Sequence, residues 1–169
     1  MERQANVDVV NDSNGLLALI DSTESDIVRQ TEAGALAIDF TAGGEAVGVN
    51  VNSEYQVGAI DDGTFSREPL EVGNPQDDSA FRIRNNDTRD HEVAVEYAFE
   101  NDPGSSAIYF QFENGDGDFA ELWWRNSSDN GLSATITVTP GQDIGVSTYI
   151  WTTDGEAGDD LTGALTVSA

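Results

Sequence analysis

Apolar residues recur at every second position through most of this chain, and that period decides what it can fold into. Val93, Val95, Tyr97 and Phe99 alternate with Glu92, Ala94, Glu96 and Ala98, and Leu132, Ala134, Ile136 and Val138 alternate with Ser133, Thr135, Thr137 and Thr139. Successive side chains on a strand point to opposite faces, so both stretches predict strands with one buried and one wet face. The same reading covers Leu36–Phe40, Val47–Val51, Phe81–Ile83, Ile108–Phe112, Ile144–Ile150 and Leu161–Val167. Turn sequences separate these runs: Asn85-Asn86-Asp87, Asn101-Asp102-Pro103-Gly104, Gly115-Asp116-Gly117-Asp118, Asp129-Asn130-Gly131 and Pro140-Gly141. Short strands at regular spacing predict an all-β, jelly-roll-like β-sandwich in a single domain, as expected for 169 residues. Segments 20–34 and 60–79 are irregular, and Asp21–Thr31 is expected to hold one short helix capped by Ser22 or Thr23.

Charge sets the solvent this surface suits. The chain has no lysine; seven arginines face 32 acidic residues, for a net charge of −25. Such a surface repels itself in dilute buffer. In molar salt the Debye length is about 3 Å, and the repulsion is screened. The even spread of acids points to adaptation to very high salt. It argues against nucleic acid and anionic membranes as partners. Without cysteine, neither a disulfide framework nor a thiolate metal site can be built. No membrane span and no intact signal peptide are present; if the protein is exported, its targeting segment is missing from this chain. Export would also suit three sequons in turns, at Asn11, Asn86 and Asn126, candidate N-glycosylation sites.

Little here suits catalysis. His91 is the sole histidine, between Asp90 and Glu92, and no nucleophile elbow or phosphate-cradling loop occurs. Asn114, Asp116 and Asp118 offer oxygen ligands for calcium, the one cofactor considered. Phe119 and Arg125 stand where an EF-hand loop needs glycine and glutamate, so the alternative is a solvated acidic turn. Trp123 and Trp124 are adjacent, so on a strand one is core and the other exposed or at an interface. Tyr149 and Trp151 share a face opposite Val146 and Ile150. These four aromatics could contact glycans or a neighbouring subunit, or they could cover a sandwich edge.

The first dozen residues stand apart. Ala5, Val7 and Val9 alternate with Asn6 and Asp8, and the polar turn Asn11–Gly15 follows before the apolar run Leu16–Ile20. Either 5–10 folds back on 16–20 as a hairpin, or it leaves its subunit to fill a groove in a neighbour. The division is then 1–12, strand and turn, and 13–169, sandwich.

Arg3–Asp12 running into Gly15–Leu19, the central Phe81–Thr88 and the final Thr139–Ala169 together resemble small secreted β-sandwich proteins of halophilic archaea. That family is distantly similar to the matrix-fibre proteins TasA and camelysin and to archaeal bundling-pilus subunits. The resemblance is one of layout, without a diagnostic short motif. It implies an exported, non-enzymatic subunit of a pilus or biofilm matrix. Its partners would be identical subunits, joined by donation of the N-terminal strand with Ala5, Val7 and Val9 as donor positions. The alternative function is a monomeric secreted module that binds surface glycans.

Overall fold

The computed structural model describes residues 2–3, 6–10, 16–22, 27–30, 36–39, 49–50, 52–63, 65–125, 127–152 and 161–169. Among the described residues fourteen strands run in chain order. They are β1 (Glu2–Arg3), β2 (Asn6–Val10), β3 (Leu17–Asp21), β4 (Val28–Gln30), β5 (Leu36–Asp39), β6 (Val49–Asn50) and β7 (Glu54–Val57). Then follow β8 (Phe81–Asn85), β9 (His91–Phe99), β10 (Ala107–Asn114), β11 (Phe119–Trp124), β12 (Ser133–Val138), β13 (Asp143–Trp151) and β14 (Gly163–Ser168). A 3-10 turn covers Ser127–Asp129.

These strands form an all-β sandwich. The front sheet has the order β11-β10-β13-β8-β3, with β7 also paired to β13; the back sheet has the order β12-β9-β14-β2-β5-β4. β1 and β6 make a separate two-stranded ladder. Inward positions of both sheets merge into one core. Leu17, Phe81, Ile83, Phe110, Trp124 and Ile144 come from the front, and Val7, Ile38, Val95, Tyr97, Leu165 and Val167 from the back. The alternation in β9 is realised position by position, with Val93, Val95, Tyr97 and Phe99 buried.

Three expectations change. The helix expected within Asp21–Thr31 is not found among the described residues: Asp21 closes β3 and Val28–Gln30 is a strand, with 23–26 and 31 outside the described residues. The hairpin of 5–10 on 16–20 does not form either, since β2 and β3 lie in different sheets. Finally, β10 and β13 are buried on both faces and have no wet one.

The last difference has a specific cause. Residues 58–80, which carry little regular structure, lie as a roof across the outer face of the front sheet. Gln111, buried there, accepts a hydrogen bond from Asp61 N (2.7 Å) and donates one to Asp61 O (3.0 Å). Gln56 works like a short strand edge, accepting from Leu70 N (2.8 Å) and donating to Gly58 O (2.8 Å) and Glu71 O (2.6 Å). At Gly145 a Cβ would collide with the backbone of Pro75, so only glycine lets the roof seat on β13.

Candidate functional site

The strand singled out at the start of the chain occupies an interior slot. β2 pairs in parallel with β14 and antiparallel with β5. Val7 lies in register with Gly163 and Ile38 and is fully buried; Val9 lies in register with Leu165 and Leu36. Asp8 is in register with Ala37 and Ala164. Ala5 is outside the described residues. In the single chain β2 fills this slot itself. The division at 12/13 cuts through a sheet. Two things make the arrangement unusual: β2, though close to the N-terminus, is not at a sheet edge, and both its neighbours are remote in sequence. In the pairing order, β5 and β4 are linked to β14 only through β2.

The slot's β14 wall depends on a close approach. A Cβ on Gly163 would stand 2.5 Å from the Tyr97 hydroxyl and would overlap Ala98 O. Tyr97 is fully buried and donates to Leu161 O at 2.6 Å, which fixes the chain at the entry to β14.

The four aromatics split between two layers. Trp124 is wholly buried in the sandwich core, edge-on to Tyr97 (5.6 Å) and Phe110 (5.8 Å). Trp123, Tyr149 and Trp151 lie on the opposite face, beneath the roof, with Tyr109 and Ile60. Phe65 is seated among them, 5.5 Å from Trp123 and parallel to it, 4.7 Å from Tyr109 and 5.1 Å from Tyr149. Arg67 stacks 3.8 Å above Trp151 and pairs with Glu54 at 2.8 Å. Burial pushes the Tyr149 phenol up to about 12, with Glu54 adding to the effect. Trp124 and Tyr149 are thus fully enclosed, so neither can stack on a glycan. Trp123 and Trp151 are half-buried, and each has an arginine near its ring. The sequence reading missed Phe65 as the organiser of this second core. An isolated aromatic inside a turn-rich segment was its only signal.

The turn at 114–118 uses its first residue structurally. Asn114 Oδ1 accepts from the amides of Asp116 (3.0 Å) and Asp118 (2.8 Å). Its Nδ2 donates to Asp118 Oδ2 (3.0 Å) and, across the sandwich, to Thr137 O on β12 (2.7 Å). Asn85 does the matching work next door, donating to Val138 O at 3.1 Å. The carbonyl expected to face calcium faces the turn's own amides. Among the described residues no group of three His, Cys, Asp or Glu side chains is placed to hold a metal. Asn114→Leu is expected to cost about 1–2 kcal/mol by leaving two part-buried amides and a part-buried carbonyl without their partner. Urea melts run with calcium and with a chelator should show the same loss; a loss confined to the calcium sample would restore the metal reading.

An open pocket of about 290 Å³ lies between this turn and the roof, lined by Asp61, Glu113, Gly117 and Phe119. Burial, with the charges of Asp61 and Asp77, raises the Glu113 carboxyl above its ordinary range against an opposing hydrogen bond from Asn74. His91 is paired with Asp87 at 2.8 Å and is partly buried. Of the three sequons, Asn86 is exposed on the turn after β8, while Asn11 and Asn126 are outside the described residues. No helix among the described residues is long and apolar enough to cross a membrane. Compared with protein-family models, curated proteins and solved structures, the chain has no match.

Proposed function

We propose that this protein is a non-enzymatic structural subunit of the cell exterior in a high-salt organism, which assembles head-to-tail by exchanging β2 between copies. One observation carries the reading: β2, close to the N-terminus, lies inside a sheet, gripped on both sides by strands remote in sequence. A neighbour's residues 6–10 would meet the same β14 and β5 edges and the same apolar partners. Exchange therefore changes which chain supplies the strand and leaves the contacts as they are. Exchange in which each copy passes β2 on to the next, without reciprocation, is a heterologous contact and makes an open filament. The polar Asn11–Gly15 segment supplies a connection between β2 and β3. The layout resemblance to secreted matrix-fibre proteins supports the same reading, as does the acidic, lysine-free surface.

The absence of native cysteine allows a direct test. Asp8 and Ala37 are directly opposed in an antiparallel pair, a separation within disulfide reach. Asp8→Cys and Ala37→Cys are made as separate proteins, mixed in molar salt and oxidised. Neither single variant can close this bond internally. A mixed Asp8→Cys/Ala37→Cys dimer, well above the self-dimer background of each variant alone, is the expected result. Its absence, with the wild type remaining monomeric on size exclusion and bare of filaments in negative stain, would overturn exchange.

A further inference from the structure

Two adjacent asparagines after β8 are put to opposite uses. Asn85 is buried and its carboxamide is fully engaged: Nδ2 donates to Arg89 O (2.7 Å) and Val138 O, and Oδ1 accepts from Asp87 N (2.8 Å). Asn86 is exposed; its main-chain N–H donates to Leu16 O at 2.9 Å, and its side chain has no hydrogen-bond partner among the described residues. Asp87, which follows it, is turned to other work: its carboxylate accepts from Thr88 N (2.7 Å) and pairs with His91 (2.8 Å). Thr88 completes the Asn-x-Thr triplet and is exposed. The turn thus holds its shape without the Asn86 carboxamide, which is left in water.

We propose that Asn86 is the attachment site of an N-linked glycan, a step that rests on the exported location proposed above. The donor would be an oligosaccharide on a polyprenyl phosphate or diphosphate carrier. A bond forms between Asn86 Nδ2 and the anomeric carbon, the carbon–oxygen bond to the carrier phosphate breaks, the phosphate leaves with the electron pair, and one amide proton is released. A folded chain must leave such a group room outside its packing, and this turn does so. The sugar would stand beside Leu16, where the chain enters β3 after the β2 segment. It would add hydrated surface to a protein already at −25 without adding charge.

The test is the full chain exported behind a secretion signal in cells that carry an oligosaccharyltransferase, read by intact mass and peptide mapping. Wild type and Thr88→Ser are expected to carry added mass on the peptide containing residue 86. Asn86→Gln and Thr88→Val should lose it while keeping the wild-type Tm, which separates loss of the site from loss of the fold. Exported wild type with Asn86 bare, including sugar found only on Asn11 or Asn126, overturns the proposal. The readout needs no assembly. Filaments with a bare Asn86 would sink this inference alone, and a glycosylated chain that never exchanges strands would sink only the assembly reading.

Discussion

Gly163→Val is expected to lower the stability of the fold by about 3 kcal/mol, the upper end of overpacking costs. Any side chain at this position must enter space already held by the Tyr97 hydroxyl and by the backbone oxygen of Ala98. A flexible side chain could swing aside, but a carbonyl within the β9–β14 ladder can move only if the ladder moves. Tyr97 cannot give way cheaply either, because its hydroxyl is committed to Leu161 O and its ring packs edge-on against Phe99 and Trp124. The damage therefore falls on β14, the wall against which β2 lies. Urea denaturation should show the loss beside a Gly115→Ala control, where the new methyl meets nothing nearer than 3.5 Å and the change stays within about 0.5 kcal/mol. A Gly163→Val midpoint equal to the control would mean that β14 does not sit as described.

Transfer from molar salt to roughly 10 mM salt, where the Debye length is about 30 Å, produces the second large effect. Repulsion among 32 acidic residues opposed by seven arginines should lower stability by several kcal/mol, each worth about 2–4 °C of Tm for a chain of this size. Mild acid should restore part of it. Glu113 has a raised carboxyl, so the folded state binds its proton more tightly than the unfolded chain does. Its contribution to stability is present in the protonated form and is lost as pH rises through the folded-state value, which lies above the ordinary 4.5. Asp143 follows the opposite sign. Hydrogen bonding to Arg84, at 2.6 and 2.8 Å, holds its carboxyl below the usual 3.8. That contribution is intact above 3.8 and is lost only as pH falls through the lower folded-state value. The dilute-salt Tm should thus climb as pH falls from 7 toward about 5 and turn down in stronger acid, while the molar-salt curve stays flatter. Identical melting temperatures in molar and dilute salt at pH 7 would refute this account of the charge.

Legibility in the sequence followed the physics of each element. β9 and β12 were plain because each pairs within a sheet whose outer side meets water, and such strands alternate in hydrophobicity. Trp123 and Trp124 had to face opposite ways, and Tyr149 and Trp151 had to oppose Val146 and Ile150; both statements follow from strand geometry and both hold. The roof was not legible. Its contacts join residues such as Phe65 and Tyr109, or Gln56 and Glu71, by packing and by side-chain hydrogen bonds that leave no period in the chain. The hints were Gly145 and Gly163 inside strands, where a missing side chain marks backbone or a ring passing close by. An oxygen-rich turn such as Asn114–Asp118 looks the same in sequence whether its first carbonyl serves a cation or its own amides, and in the structure the Asn114 carbonyl accepts from the amides of Asp116 and Asp118.

Taken alone, the amino-acid order determined the all-β class, most of the strands, which residues share a face, and a net charge of −25. Those properties are local or additive: a two-residue period and a sum of charges need no knowledge of what lies across the sheet. The partner of β2 was decided only by tertiary structure. Val7 and Val9 suit any apolar groove, and nothing in residues 6–10 selects β14 and β5 over β3. That choice rests on distant residues, on Gly163 and Tyr97 shaping one wall and on Leu36 and Ile38 lining the other. Contacts between segments so far apart in the chain exist only once the whole sandwich has closed.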